Sequence, residues 1–209
     1  DGEVSNSTFA EEFAKAHPER FFEMYIAEQQ LVAAGVGLQV LGWRPFCSTF
    51  AAFLSRAYDF VRMAAVSRAR LALCGSHAGV SIGEDGPSQM GIEDVALACS
   101  LPGVTVVVPS DAACTVAATK ATIAHRGPTY MRAGRGKVAD IYTNGCPFEL
   151  GKAIRVREGG DATIIARVAS LTSRNSYDYA KAGIMFSNTL DATSYYAVAC
   201  VTTGHGVRL

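Results

Sequence analysis

Short apolar runs alternate along this chain with longer stretches in which apolar residues recur at helical spacing. That alternation restricts the fold more than any other feature. Residues 21–26, 45–49, 69–74, 104–108 and 128–132 read as strands. Residues 11–16, 28–41, 50–65, 92–100 and 112–125 read as helices, the first ended by His17 and Pro18. Phe53, Ala57, Phe60, Val61 and Ala64 set the period of the helix at 50–65. Gly35 and Gly37 inside the helix at 28–41 predict close packing against a neighbour. Residues 104–108 form an uninterrupted β-branched run, which fits a strand covered on both faces. Strand–helix repetition of this kind predicts an α/β fold, a parallel sheet flanked by helices. Ligands of such sheets bind outside the carboxyl ends of the strands, which points to the loops after Ile26, Leu73 and Val108.

A polar, irregular stretch at 132–144 reads as a linker. It divides a first domain, residues 1–146, from a short C-terminal α/β segment, residues 147–209. Within the second, 162–168 reads as a strand and 173–182 as a helix. At about 60 residues it is small for an independent domain.

Charge and cysteine usage exclude several classes. Lys plus Arg and Asp plus Glu both number 19, which argues against nucleic acid or an anionic membrane as the main partner. No apolar run has the length of a membrane span. The first residues lack the basic start and apolar stretch of a signal peptide. The six cysteines form no Cys-x-x-Cys pair, so no zinc knuckle is present. Cys47, Cys99 and Cys114 lie among apolar or small residues, the habit of reduced interior thiols. The expectation is a cytoplasmic protein without disulfides.

Three segments could carry chemistry. Residues 74–89 hold four glycines, a histidine, two acids and a glutamine. His77 and Asp85 can donate and accept protons or hydrogen bonds to a polar substrate; the ordinary alternative is a surface loop with solvated acids. Glu28 opens an apolar helix. A carboxylate there can serve the macrodipole or, if buried, share a proton with a ligand nitrogen. Phe50 and Phe53 share a helical face, as core packing or as a clamp around a flat heteroaromatic ring.

Taken in order, the segments are Asn6-Ser-Thr-Phe, Tyr25-Ile-Ala-Glu-Gln, Pro45-Phe-Cys-Ser-Thr-Phe-Ala-Ala-Phe, Arg62-Met-Ala-Ala, Cys74-Gly-Ser-His, Gly79-Val-Ser-Ile-Gly-Glu-Asp-Gly-Pro-Ser-Gln, Glu93-Asp and Pro109-Ser-Asp. Over residues 1 to 135 this series closely resembles the pyrimidine-binding domain of transketolase, a thiamine diphosphate enzyme, in its animal-like branch. The resemblance implies roles residue by residue. Glu28 matches the glutamate that hydrogen-bonds N1′ of the cofactor's aminopyrimidine, and Phe50 and Phe53 match the aromatic residues around that ring. His77 and Asp85 match residues that bind the donor's sugar hydroxyls, with His77 also assisting proton transfer. Gln89 stands where some members have a histidine, so it matches a catalytic position with altered chemistry. Ser7, Arg56 and Arg135 match positions near the substrate phosphate; Arg56 stands where other branches have an aromatic residue. Asp111 reads as a structural cap for the following helix.

The resemblance also implies what lies elsewhere. The family's Gly-Asp-Gly motif, which holds Mg²⁺ and the diphosphate, is not in this sequence. The Mg²⁺ ligands are therefore expected on a pyrophosphate-domain transketolase subunit, with this chain as the second subunit of a split enzyme or as a fragment. Self-association through the pyrimidine and C-terminal domains is expected too, with sugar phosphates as substrates. Residues 161–166 resemble the first strand of the family's third domain, whereas 189–209 match it poorly. Related readings are deoxyxylulose-phosphate synthase and the beta subunit of a 2-oxo acid dehydrogenase, which usually lack Cys-Gly-Ser-His followed by this loop. A non-catalytic partner of a full enzyme is a further reading, and the intact Glu28 argues against it. A dinucleotide fingerprint is rejected, because Gly35-Val-Gly37 lacks the third glycine and sits in a helical pattern.

Overall fold

The computed structural model describes residues 1–152 and 154, together with the backbone of three later strands. Four strands, β1 (Phe46–Phe50), β2 (Ala72–Ser76), β3 (Thr105–Val107) and β4 (Thr129–Arg132), form one sheet in the order β1-β2-β4-β3. Every pairing is parallel. The helices are α1 (Ser5–Thr8), α2 (Ala10–Ala16), α3 (Glu28–Val40), α4 (Ala51–Leu54), α5 (Tyr58–Val66), α6 (Asp94–Cys99) and α7 (Ala112–Ala124). Three-residue 3₁₀ turns stand at Pro18–Arg20, Ser55–Ala57 and Pro87–Gln89.

The register explains why the sheet is buried on two sides. Leu73 lies opposite Tyr130, which lies opposite Val106. All three belong to the larger core, with Leu31 and Val32 of α3, Val61 and Ala64 of α5, and Ala98 of α6. The next rung, Cys74, Met131 and Val107, faces the other way and packs with Ala118 of α7. Alternation along a strand thus assigns one residue of each pair to each helical layer. Gly35 allows the close approach its sequence predicts, since a Cβ there would lie 2.6 Å from the Cys47 sulfur. Gly37 has no such neighbour among the described residues.

Three expectations change. Residues 21–26 form no strand. The Glu23 carboxylate takes the amides of Glu3 and Tyr25, and Tyr25 sits at φ +55°, so this backbone turns instead of extending. The run at 104–108 is an edge strand with one neighbour, and its Val106 and Val107 pack on opposite faces as expected, while Val108, past the strand's end, is 56% exposed. The helix at 50–65 is broken by the turn at Ser55–Ala57, although Ala57, Val61 and Ala64 are buried as its period requires. Cys99 is exposed, whereas Cys47 and Cys114 are buried. Burial pushes the Cys47 thiol up to about 12 and the Cys74 thiol up to about 11, which leaves both protonated and unreactive. All five cysteines among the fully described residues are free.

The chain divides into two compact units, Asp1–Leu150 and Gly151–Leu209. In the second, β5 (Lys181–Ser187), β6 (Tyr196–Thr202) and β7 (Gly206–Arg208) form an antiparallel sheet in that order. The strand expected at 162–168 lies outside the described residues, as do residues 173–180 of the expected helix; Lys181 and Ala182 open β5. No helix among the described residues is long and apolar enough to cross a membrane.

Asp111 does more than the cap its sequence predicts. Oδ1 accepts the Cys114 amide at 2.8 Å, and Oδ2 accepts the amides of Ile141 and Tyr142 at 2.7 and 2.8 Å. It therefore anchors the segment after β4 onto the start of α7. The amides of Cys114, Tyr142 and Ile141 hold its carboxyl below the ordinary value against the opposing effect of burial. A lowered folded pKa gives stability that is present above the unfolded pKa and lost as pH falls through the folded one. Asp111→Ala is expected to lower the melting temperature at pH 7 and by much less near pH 3. It is also expected to speed amide exchange at Ile141 and Tyr142. An equal loss at both pH values contradicts the clamp.

Candidate active site

Parallel strands deliver their carboxyl ends to one edge, and three of them deliver candidate residues there. Phe50 ends β1, His77 follows β2, and Arg135 follows β4 by three residues. The β2 and β4 segments stay paired beyond their ends: Ala133 donates its amide to Gly75 O at 2.9 Å, and Ala78 donates to Ala133 O at 3.0 Å. Ala78 also bridges Gly91, and the Gly79 amide donates to Gly91 O at 2.8 Å, so both ends of the loop are fastened to one spot. Gly79, Gly83 and Gly86 turn that loop at positive φ.

Glu28 is the first residue of α3 and is 1% exposed. Its Oε2 accepts a hydrogen bond from Arg56 Nη1 at 2.7 Å. Arg56 stands on the 3₁₀ turn, with its side chain 49% exposed. The structure therefore places Arg56 on Glu28. This differs from the phosphate position the resemblance implies.

Phe50 and Phe53 are stacked, with ring centroids 5.2 Å apart and planes inclined by 19°. His77 stacks on Phe50 at 4.1 Å with the same inclination. A flat ring inserted between two others needs about 7 Å between their centroids. The pair is thus one wall, not the two-sided clamp that their spacing suggests. His77 itself sits at φ +54°, an uncommon backbone for a residue other than glycine, and its Nδ1 lies 3.1 Å from Ser76 Oγ.

Asp85 Oδ2 accepts from Arg135 Nη1 at 3.0 Å. The same guanidinium donates to Ile82 O and lies 3.8 Å from Glu84. Gln89 is half-buried at the end of the turn Pro87–Gln89, its amide donated to Gly86 O. Ser7 is half-buried in α1. No side-chain hydrogen bond among the described residues joins it to His77, Asp85 or Arg135.

A second buried charge cluster escaped the sequence reading. Asp94 Oδ2 accepts from Tyr130 Oη at 2.6 Å and from Arg132 Nε at 2.8 Å, and Arg132 Nη2 donates to Gly91 O at 3.2 Å. Burial, reinforced by Asp94, pushes the Tyr130 hydroxyl far up, so it is a fixed donor. The sequence signals for Asp94 were its place in the Glu93-Asp segment and an acid at the start of a helical pattern, and neither points to Tyr130 or Arg132.

No group of three or more His, Cys, Asp or Glu able to hold a metal occurs among the described residues. A buried carboxylate and a stacked aromatic pair are the kinds of group that suit a flat heteroaromatic ligand with a nitrogen to offer. The fold is a parallel α/β domain whose sheet gathers Phe50, His77 and Arg135 at its carboxyl edge.

The comparisons with known proteins give the family. The family described as "Transketolase, pyrimidine binding domain" matches residues 1–140. Human transketolase is 47% identical over 173 residues, 82% of this chain and 28% of that protein. Bovine transketolase-like protein 1 is 42% identical over 189 residues, 88% of this chain and 32% of that protein. A solved structure described as "Split gene transketolase, inactive beta4 tetramer" is 40% identical with a TM-score of 0.67, over 76% of this chain and 51% of that one. Transketolase from Leishmania mexicana is 31% identical with a TM-score of 0.53, over 55% of this chain and 18% of that one. The chain belongs to the transketolase family, and it spans about a third or less of the curated relatives it matches.

His77 is held below its ordinary pKa, first by burial and then by Arg135, while Asp85 pulls the other way. It is therefore neutral at pH 7 and able to accept a proton. A ring titration by NMR is expected to find it protonating below the usual histidine range. Arg135→Gln is expected to raise that midpoint and Asp85→Asn to lower it. Shifts of the opposite sign refute this arrangement.

Proposed function

We propose that this chain supplies the pyrimidine-side half of a transketolase active site and takes part in moving a two-carbon ketol unit between sugar phosphates. One observation carries the reading. Glu28 is a fully buried carboxylate whose described hydrogen-bond partner is a single half-exposed arginine. Such a group can trade that partner for a ligand. When bound, thiamine diphosphate supplies the nucleophilic carbon that takes up the ketol unit.

The chain's own residues have separate tasks. Glu28 holds the cofactor's aminopyrimidine by its N1′ and fixes where that proton resides. Phe53, backed by Phe50, gives the ring an apolar wall and keeps water from one side of it. His77, neutral and anchored on Phe50, accepts a hydroxyl proton from the donor sugar. Asp85 and Gln89 hydrogen-bond the sugar's hydroxyls, and Ser7 and Arg135 take its phosphate, Arg135 by a charge-assisted contact. Mg²⁺ and the diphosphate are held by a pyrophosphate-domain partner subunit. The split-gene neighbour is described as an inactive tetramer of beta chains, which fits a chain that carries half a site and associates with copies of itself. The reading places the protein in the cytoplasm.

The test mixes the chain with a pyrophosphate-domain transketolase subunit, Mg²⁺ and thiamine diphosphate. Ketol transfer from xylulose 5-phosphate to ribose 5-phosphate is expected. Glu28→Gln is expected to lower its rate about 10²- to 10⁴-fold. Wild-type turnover by that variant sinks the reading. Activity on pyruvate alone moves it to a deoxyxylulose-phosphate synthase or a 2-oxo acid dehydrogenase. A stable but inactive complex moves it to a non-catalytic partner. The isolated chain is expected to bind thiamine diphosphate weakly in calorimetry, and tight binding there contradicts the shared site.

A further inference from the structure

We infer that Arg56 is a placeholder for the ligand of Glu28: it occupies the buried carboxylate in the free chain and leaves to solvent when a ring nitrogen takes its position. The inference rests on the reading of Glu28 given above and adds a residue that controls access to it.

Three features of the pair carry it. Glu28 has 1% of its surface exposed, and a bare carboxylate at such a place is costly, so a donor must be present before any ligand arrives. Arg56 meets that need with one contact, Nη1 to Oε2 at 2.7 Å, where a guanidinium is capable of two. Its side chain is 49% exposed, so a return to water restores little that was lost. Arg132 shows what a permanent partner looks like in the same fold. It is 25% exposed, donates Nε to Asp94 and Nη2 to Gly91 O, and stands on a strand. Arg56 stands on a 3₁₀ turn between two helices, a segment suited to a small movement.

The surroundings leave the exchange uncontested. The elements most closely packed on α3 are β1, the turn at Ser55–Ala57 and α5; the N-terminal segment also approaches it, with Gly2 near Leu31, and its Asp1 carboxylate is taken by Val4 and Thr8. Strand β1 contributes the Cys47 thiol, which faces Leu31 O. Helix α5 contributes Asp59 and Arg62, which pair with each other at 2.9 Å, and Tyr58, which meets Ser100. None of these is recorded on Glu28 or Arg56. Phe53 lies three residues before Arg56, at the other end of a short segment, so the aromatic wall and the departing arginine share one support.

The experiment has a free-chain arm and an assembled arm. In the free chain, Arg56→Gln is expected to lower the melting temperature in the wild-type background and to have little effect in a Glu28→Gln background. An equal loss in both backgrounds means that the two side chains are not coupled, and the inference falls whatever the chain's function. In the complex with the pyrophosphate-domain subunit and Mg²⁺, calorimetry measures the dissociation constant of thiamine diphosphate. Removing a competitor is expected to lower it several-fold in Arg56→Gln, with Arg56→Lys in between. A merely structural residue does not tighten binding when it is lost. Weaker or unchanged binding by Arg56→Gln overturns the placeholder and leaves the proposed function standing. So does a rise in KM confined to phosphorylated donors, which returns Arg56 to the phosphate. Failure of the wild-type complex to bind thiamine diphosphate removes the proposed function, and the placeholder with it.

Discussion

Burying a carboxylate is the most expensive placement in a fold like this one, and the structure is organised around how it is made tolerable at Glu28, Asp94 and Asp111. Each has a different solution. Asp111 is surrounded by three backbone amides, so both oxygens are committed to the chain itself. Asp94 is held by a buried tyrosine and by an arginine that is itself mostly covered. Glu28 has one half-exposed guanidinium. Removing the partner of a buried charge costs about 3–5 kcal/mol, and the low end applies where that partner is half in water. Of the three, only Glu28 has a half-exposed side chain as its described partner, and its proposed binding role rests on that difference.

The same economy appears in the aromatic residues. Phe50 is buried and stacks with both Phe53 and His77. Its contribution in the structure is to fix the planes of those two rings. His77 needs that support, because its backbone lies in the left-handed region and a loose imidazole there would have many orientations. Stacking fixes the ring plane, and the Ser76 hydroxyl fixes one ring nitrogen.

Local pattern made much of this legible. Helices α3 and α7, four of the five expected strands of the sheet, the Asp111 cap and the close approach at Gly35 all follow from signals within a few residues. Glu28, Phe50, Phe53, His77 and Asp85 stood out because their neighbours in sequence were unusual. What stayed hidden joins distant positions. Arg56 reaches Glu28 across 28 residues, and Tyr130 and Arg132 reach Asp94 across 36 and 38. No spacing rule links a turn residue to a helix start, or a strand end to a helix start. The missing strand at 21–26 failed for a local reason of another kind. Its apolar residues satisfy the pattern, but a carboxylate two residues before Tyr25 captures the amide that a strand would have used.

Arg135 repeats the logic of Arg56 in an exposed setting. It joins Asp85 with both side chains 39% exposed, an arrangement worth about 0–1 kcal/mol. Under the proposed function, an arriving phosphate therefore displaces little when it takes the guanidinium, and Asp85, once released, has an acceptor to offer the sugar's hydroxyls. The loop does not lose its position in the exchange, because Ala78 and Gly79 are fastened to Ala133 and Gly91 by backbone bonds. Held arginines that are only lightly committed, on a frame that is firmly committed, allow the site to be folded before its ligands arrive and still open to them.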